Sequence, residues 1–76
     1  MLWRMATLGE LRRAAGLTQW QIATALDTRP PQVSGWERGT IVPSTRFLRP
    51  LATLLSVSLD ELLDALEKSR QPEPLP

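Results

Sequence analysis

The sequence predicts an all-α fold of five short helices, and three observations carry that prediction. A hydroxyl followed three residues later by Glu or Gln recurs at Thr7-Leu8-Gly9-Glu10, Thr18-Gln19-Trp20-Gln21 and Ser58-Leu59-Asp60-Glu61. In such a capping box the hydroxyl accepts one unpaired N–H of the first turn, and the Glu or Gln reaches back to the cap's own N–H. Each box opens a segment with apolar residues at three- and four-residue spacing. No alternating strand pattern of useful length occurs anywhere in the chain.

The first helix is expected over about residues 8–15. Leu8, Leu11 and Ala15 form its apolar stripe, and Gly16 supplies a left-handed stop. The second runs over about 19–26, with Ile22, Ala23 and Leu26 inward, and Asp27-Thr28-Arg29 form the turn after it. The third opens with Pro30 and Pro31, which are tolerated in a first turn because those positions lack helical partners for an N–H. It continues to Arg38 and stops at Gly39, with Val33 and Trp36 facing the core. Thr40 to Thr45 read as a loop.

The fourth helix carries Leu48, Leu51, Ala52 and Leu55. Capping by Ser44 would leave Pro50 well inside it, at a cost of about 3 kcal/mol. A start near Phe47 or Leu48 is therefore expected. The fifth follows Val57-Ser58, with Leu59, Leu62, Leu63 and Leu66 apolar. Ser69 to Pro76 holds three prolines and reads as an extended tail, so the expected organisation is one domain over 1–68 and a tail over 69–76.

Composition narrows the function. The 76 residues include no cysteine and no histidine. That removes disulfide staples, thiolate metal sites and the commonest general base. No glycine-rich phosphate cradle is present, and Asp60, Glu61 and Asp64 read as a helix cap and a solvated face, so neither an enzyme nor a cofactor is expected. No apolar run reaches the ~18 residues of a membrane span, and the N-terminal residues do not read as a signal peptide. The absence of cysteine is compatible with a cytoplasmic protein, which is expected.

The net charge of +1 hides an asymmetry. Arg4, Arg12, Arg13, Arg29, Arg38, Arg46 and Arg49 outnumber Glu10, Asp27 and Glu37 up to residue 58. After it, Asp60, Glu61, Asp64, Glu67 and Glu73 outnumber Lys68 and Arg70. The basic part suits a polyanion, with the acidic end facing away; a mixed solvated surface is the plainer reading of the same charges.

The second helix, its three-residue turn and the third helix have helix-turn-helix spacing. Residues Leu11-Arg12-Arg13-Ala14-Ala15-Gly16-Leu17-Thr18-Gln19, Ile22-Ala23, Val33-Ser34-Gly35-Trp36-Glu37-Arg38-Gly39, Pro43-Ser44, Leu51-Ala52 and Val57-Ser58-Leu59-Asp60-Glu61-Leu62-Leu63 occur in that order. Over residues 8–63 this pattern resembles the Cro/phage-repressor (XRE) family. The resemblance implies duplex DNA as partner, transcription control as function, and a third helix lying in the major groove.

Residue roles follow from the resemblance. Thr18 and Gln19 match the family's phosphate-clamping start of the second helix. Arg12 and Glu37 match a partly buried bridge between the first and third helices. Arg38 and Thr40 lead into a loop that in relatives lies along the phosphates. The base-reading positions fall on Pro30, Pro31, Ser34 and Gly35, flanked by Arg29 and Gln32. Here the chain departs from the family, because two prolines and a glycine donate no side-chain hydrogen bonds. Bidentate base contacts fall to Gln32, Arg29 or Arg38, and binding weighted towards phosphates and DNA shape is expected. Gly35 is read either as a packing requirement or as close approach to DNA.

The resemblance also implies a homodimer on DNA, with Val57, Ser58, Leu59, Leu62 and Leu66 at its interface. A second reading is a protein-interaction module, such as an antitoxin or co-regulator. Trp3 and Trp20 are read as covering each other or a core edge, or alternatively as a partner surface.

Overall fold

The computed structural model describes residues 6–70, which form five helices: α1 (Leu8–Ala14), α2 (Gln19–Ala25), α3 (Pro30–Arg38), α4 (Thr45–Leu55) and α5 (Leu59–Arg70). No strand occurs among the described residues. None of their helices is long and apolar enough to cross a membrane. Trp3, Arg4 and the prolines after Arg70 lie outside the described residues.

All three capping boxes form. The Thr7 N–H donates to Glu10 Oε1 at 2.8 Å and the Glu10 N–H to Thr7 Oγ1 at 3.3 Å. The Thr18–Gln21 pair repeats this at 2.8 and 3.0 Å, and the Ser58–Glu61 pair at 2.8 and 3.1 Å. Such a cap contributes about 1 kcal/mol.

The first four helices also end alike. Gly16, Asp27, Gly39 and Ser56 take left-handed conformations, with φ of 75°, 57°, 79° and 59°. After each, an N–H reaches back five residues: Leu17 to the Arg12 carbonyl, Thr28 to Ala23, Thr40 to Gly35 and Val57 to Ala52. This is the Schellman closure, which satisfies carbonyls the helix leaves unpaired. Asp27 and Ser56 serve here without glycine's freedom; short polar side chains tolerate this region best among the others.

The core gathers Leu8, Ile22, Val33, Trp36, Leu51 and Leu62, one or two from every helix, all at most 1% exposed. Burying each such aliphatic side chain contributes roughly 1.5–3 kcal/mol. Trp36 is the largest of them, and its ring meets that of Phe47 from α4 at 5.3 Å between centroids, tilted by 46°. The Arg46 guanidinium lies 4.8 Å from the Phe47 ring centroid on α4's first turn.

Five expectations need correction. Helix α4 starts at Thr45, not near Phe47, with Ser44 at its N-cap and Pro50 inside it. Starting early lets Phe47 and Leu48 pack against the core. The carbonyl orphaned by Pro50 belongs to Arg46; both residues are exposed, so water can satisfy it. Ala15 is exposed, because α1 ends at Ala14. Helix α5 runs through Ser69 and Arg70, two residues past the expected start of the tail. The Ser69 hydroxyl explains this: it donates to the Ala65 carbonyl at 2.9 Å and accepts the Leu8 N–H at 3.0 Å, tying α5 to α1.

The fourth correction concerns α5's leucines. Leu62 and Leu66, expected at a subunit contact, are 0% and 7% exposed and belong to the core. Leu59 and Leu63 are the exposed leucines of that helix. Trp20 covers no core edge: it is 68% exposed.

Replacing Pro50 restores an N–H facing the Arg46 carbonyl on an exposed helix surface. Pro50→Ala is expected to stabilise the fold by about 1–3 kcal/mol, read as a higher urea midpoint. A lower midpoint would mean that the ring itself contributes packing.

Candidate nucleic-acid interface

Helices α2 and α3, joined through Leu26 to Arg29, form the helix-turn-helix. Their inner faces are apolar: Ile22, Ala23 and Leu26 from one, Val33 and Trp36 from the other. With its inner face fixed, α3 must turn Pro31, Gln32 and Arg38 to solvent, while Pro30 and Ser34 are half-buried. Arg29 precedes α3 at its N-cap position, where a donor-only guanidinium cannot cap the helix, and it is exposed.

Below this face lies a polar junction centred on Glu37. Arg12 Nε donates to Glu37 Oε2 at 2.6 Å, and its Nη2 approaches Oε1 at 3.5 Å. The remaining nitrogen, Nη1, donates to the Leu17 carbonyl at 2.9 Å. Gln19 Nε2 donates to Glu37 Oε1 at 3.0 Å. The pair's side chains are only 14% and 12% exposed. One carboxylate thus gathers α1, the loop before α2, the first residue of α2 and the last turn of α3. Using Nε2 on Glu37 also sets the Gln19 amide, leaving its second N–H and its carbonyl oxygen for an outside group. Thr18, beside it, has its hydroxyl oxygen occupied by the capping bond from Gln21.

Among the described residues Arg12–Glu37 is the only ion pair. Arg13, Arg29, Arg38, Arg46 and Arg49 therefore have no carboxylate partner there and are exposed. Of the exposed carboxylates, Asp60, Asp64 and Glu67 stand on α5, while Glu10 lies on α1 and Asp27 in the turn before α3.

Gly35 answers the question its position raises. It is buried, and a Cβ added to it would lie 2.7 Å from Ile41 Cγ1 and 3.1 Å from Ile41 Cβ, with Cδ1 closer still. Packing is the reason for glycine here, not approach of a nucleic-acid backbone. The Ile41 side chain lies over this stretch of α3. The loop is pinned there by N–H groups of Thr40 and Ile41 donating to the Gly35 carbonyl at 2.9 and 3.2 Å. The Thr40 hydroxyl approaches the same carbonyl at 3.4 Å, though its residue is exposed.

Gly39 is doubly required. Its φ is positive, and a Cβ would lie 2.5 Å from the Ser69 carbonyl oxygen and 2.7 Å from Arg70 Cα. The end of α5 is therefore seated directly on the C-cap of α3. Sequence reasoning overlooked both Ile41 and Ser69. Nothing local distinguishes them; a glycine at mid-helix was the one signal that something must press on α3.

The comparisons agree with this geometry. A family model described as a helix-turn-helix domain matches residues 6–66, and the chain belongs to that family. It is also similar to the HTH-type transcriptional activator BcrR of Enterococcus faecalis, with 37% identity over 60 residues. That match covers 79% of this chain but 29% of the relative, so the chain spans less than a third of that protein's length. No solved structure gave a significant match.

Gly35→Ala is expected to destabilise despite alanine's better helix propensity of about 1 kcal/mol, since overpacking costs about 1–3 kcal/mol. In an Ile41→Ala background the same change should become neutral or stabilising. A double-mutant cycle in urea measures the coupling; additive effects would contradict the contact.

Proposed function

We propose that this chain binds duplex DNA through α3 and regulates transcription, most of its affinity coming from phosphate contacts and DNA shape. The observation that carries this reading is the helix-turn-helix whose exposed outer face is flanked by arginines with no carboxylate partner among the described residues. Helix-turn-helix modules place the N-terminal part of the second helix against base edges while the first crosses the backbone. On that docking, Gln19 offers its free amide N–H to a phosphate, with Thr18, Arg38 and Thr40 beside the same strand.

Direct base contact is limited. Gly35 is covered by Ile41, so it leaves the set of reading residues. Gln32, Arg29 and Arg38 can make hydrogen bonds, each bidentate pair giving about 1–3 kcal/mol of discrimination. Pro30 and Pro31 offer only apolar contact, which suits thymine methyl groups. Ser34, half-buried, contributes at most one hydroxyl.

Binding as a homodimer supports specificity, because two copies read half-sites one helical turn apart. With Leu62 and Leu66 in the core, the face proposed for the second copy is Val57, Ser58, Leu59 and Leu63. A cytoplasmic location fits this function. A second reading, a protein-interaction module such as an antitoxin or co-regulator, is favoured by one observation: Trp20 stands 68% exposed on α2.

Titration against random and upstream duplexes at two salt concentrations tests the reading. Steep salt dependence with modest sequence preference is expected; no binding at low salt would overturn it and favour the partner reading.

The residue roles separate in a second measurement. Gln19→Ala should weaken binding to all sequences alike, whereas Gln32→Ala should blur preference at one position, at a cost of about 1–3 kcal/mol on the preferred site. A preserved preference in Gln32→Ala would remove Gln32 from the reading set.

A further inference from the structure

The arginine-flanked face does not end at α3. A cleft of about 340 Å³ opens beside it, lined by Thr7, by residues of α1, α3 and α5, and by Gln19 of α2. Three cations line it, one each from α1, α3 and α5: Arg13, Arg38 and Lys68. Its only carboxylate is Glu37, which is already paired with Arg12 and hydrogen-bonded by Gln19. The cleft is thus cationic in a way its composition understates, since its one anion is spent on the internal junction.

Its floor is as specific as its walls. Gly9 lies there, and a Cβ on it would stand 3.2 Å from Glu37 Oε1 and 3.3 Å from Arg13 Nη1. A side chain at residue 9 would fill the space between the Arg13 guanidinium and the junction. The far wall is set by Ser69, whose hydroxyl ties α5 to the Leu8 N–H. That bond fixes the last turn of α5, and Lys68 with it, against the start of α1. Lys68 and Arg70 are the basic residues of this largely acidic helix, both in its last turn.

We propose that this cleft is an anion subsite that takes a DNA phosphodiester beyond the segment faced by α3, with Arg13 and Lys68 as its outer donors. The class of ligand follows from the lining: several cations, hydroxyls and an amide, with no unpaired carboxylate and little apolar surface, suit a phosphate oxygen. The source follows from continuity. Gln19, Ser34 and Arg38 belong both to the cleft and to the face proposed to meet DNA, so a strand lying on one runs into the other. Helix α5, otherwise acidic, thereby contributes to DNA binding through its last turn. This inference rests on the DNA-binding reading above and extends its footprint.

The test uses the full chain and a labelled random duplex of roughly two helical turns, about 20 base pairs. Affinity is measured by fluorescence anisotropy between 50 and 200 mM salt for wild type, Arg13→Ala, Lys68→Ala, the double variant, Arg13→Lys and Gln19→Ala. Both targeted side chains are exposed, so folding is unaffected, and circular dichroism checks this. Each lost phosphate contact flattens the slope of log affinity against log salt by about 0.9. The double variant should therefore flatten it by about 1.8, which shrinks the loss of affinity over that four-fold salt range by about 12-fold. Arg13→Lys should keep the wild-type slope.

An unchanged slope in the double variant, with Gln19→Ala still weakening binding, would overturn the subsite and leave the DNA reading standing. Failure of the wild-type chain to bind any duplex would overturn both. Inorganic phosphate alone, followed by side-chain NMR signals of Arg13 and Lys68, distinguishes the other source. If it shifts those signals to saturation while duplex leaves them unmoved, the cleft holds a free anion and the assignment to the DNA backbone is wrong.

Discussion

The proposed interface depends on one half-buried carboxylate. Glu37 sits in the last turn of α3, and Arg12 and Gln19 reach it from α1 and the start of α2. Hydrophobic burial draws these helices together but is non-directional, and by itself lets them slide or rotate. The junction removes that freedom, because hydrogen bonds of 2.6 to 3.0 Å are met by one relative placement only. Its contribution is orientation more than net stability, as desolvating an ion pair offsets much of the attraction. Loss of either partner would leave a charge largely out of water, the costly case.

The outer face of α3 follows from what grips its inner face. Trp36 and Val33 hold the core side, and the Trp36 ring packs at a tilt against Phe47 of α4. The loop after α3 folds Ile41 over Gly35, and the end of α5 rests on Gly39. One glycine within this helix and one at its cap therefore serve two neighbours, one pressing on its flank and one on its cap. The result is a helix held from several sides, with few hydrogen-bonding side chains left to present. Such an element is held in place by its neighbours, and its few free hydrogen-bonding side chains are what support the proposed weighting towards shape and phosphate geometry over a base-by-base code.

Helix α5 has a larger part than its sequence suggests. Its apolar stripe is read easily, but Leu62 and Leu66 are consumed by the core. Its last turn, through Ser69, satisfies the Leu8 N–H at the start of α1, a donor that no residue within α1 can reach. A segment that reads as the beginning of a proline-rich tail is thus the closing contact of the bundle.

By itself the sequence determined the features that depend on residues within one turn of each other. The three capping boxes, the stops at Gly16 and Gly39, the opening of α3 at Pro30-Pro31 and the spacing of α2 and α3 are all of this kind. A first-turn N–H is satisfied, or not, by a side chain three positions away, and that is written in the chain. Only the tertiary structure decided the start of α4, the reason for Gly35, the division of the α5 leucines between core and surface, and the role of Ser69. In each case local preference met an element distant in sequence. The gain from packing Phe47 and Leu48 outweighed the proline's lost bond, and Ile41 required a glycine where helix propensity disfavours one. The helix-turn-helix was legible because it is local; which of its residues remain free to face a partner was not, because that depends on what the rest of the bundle covers.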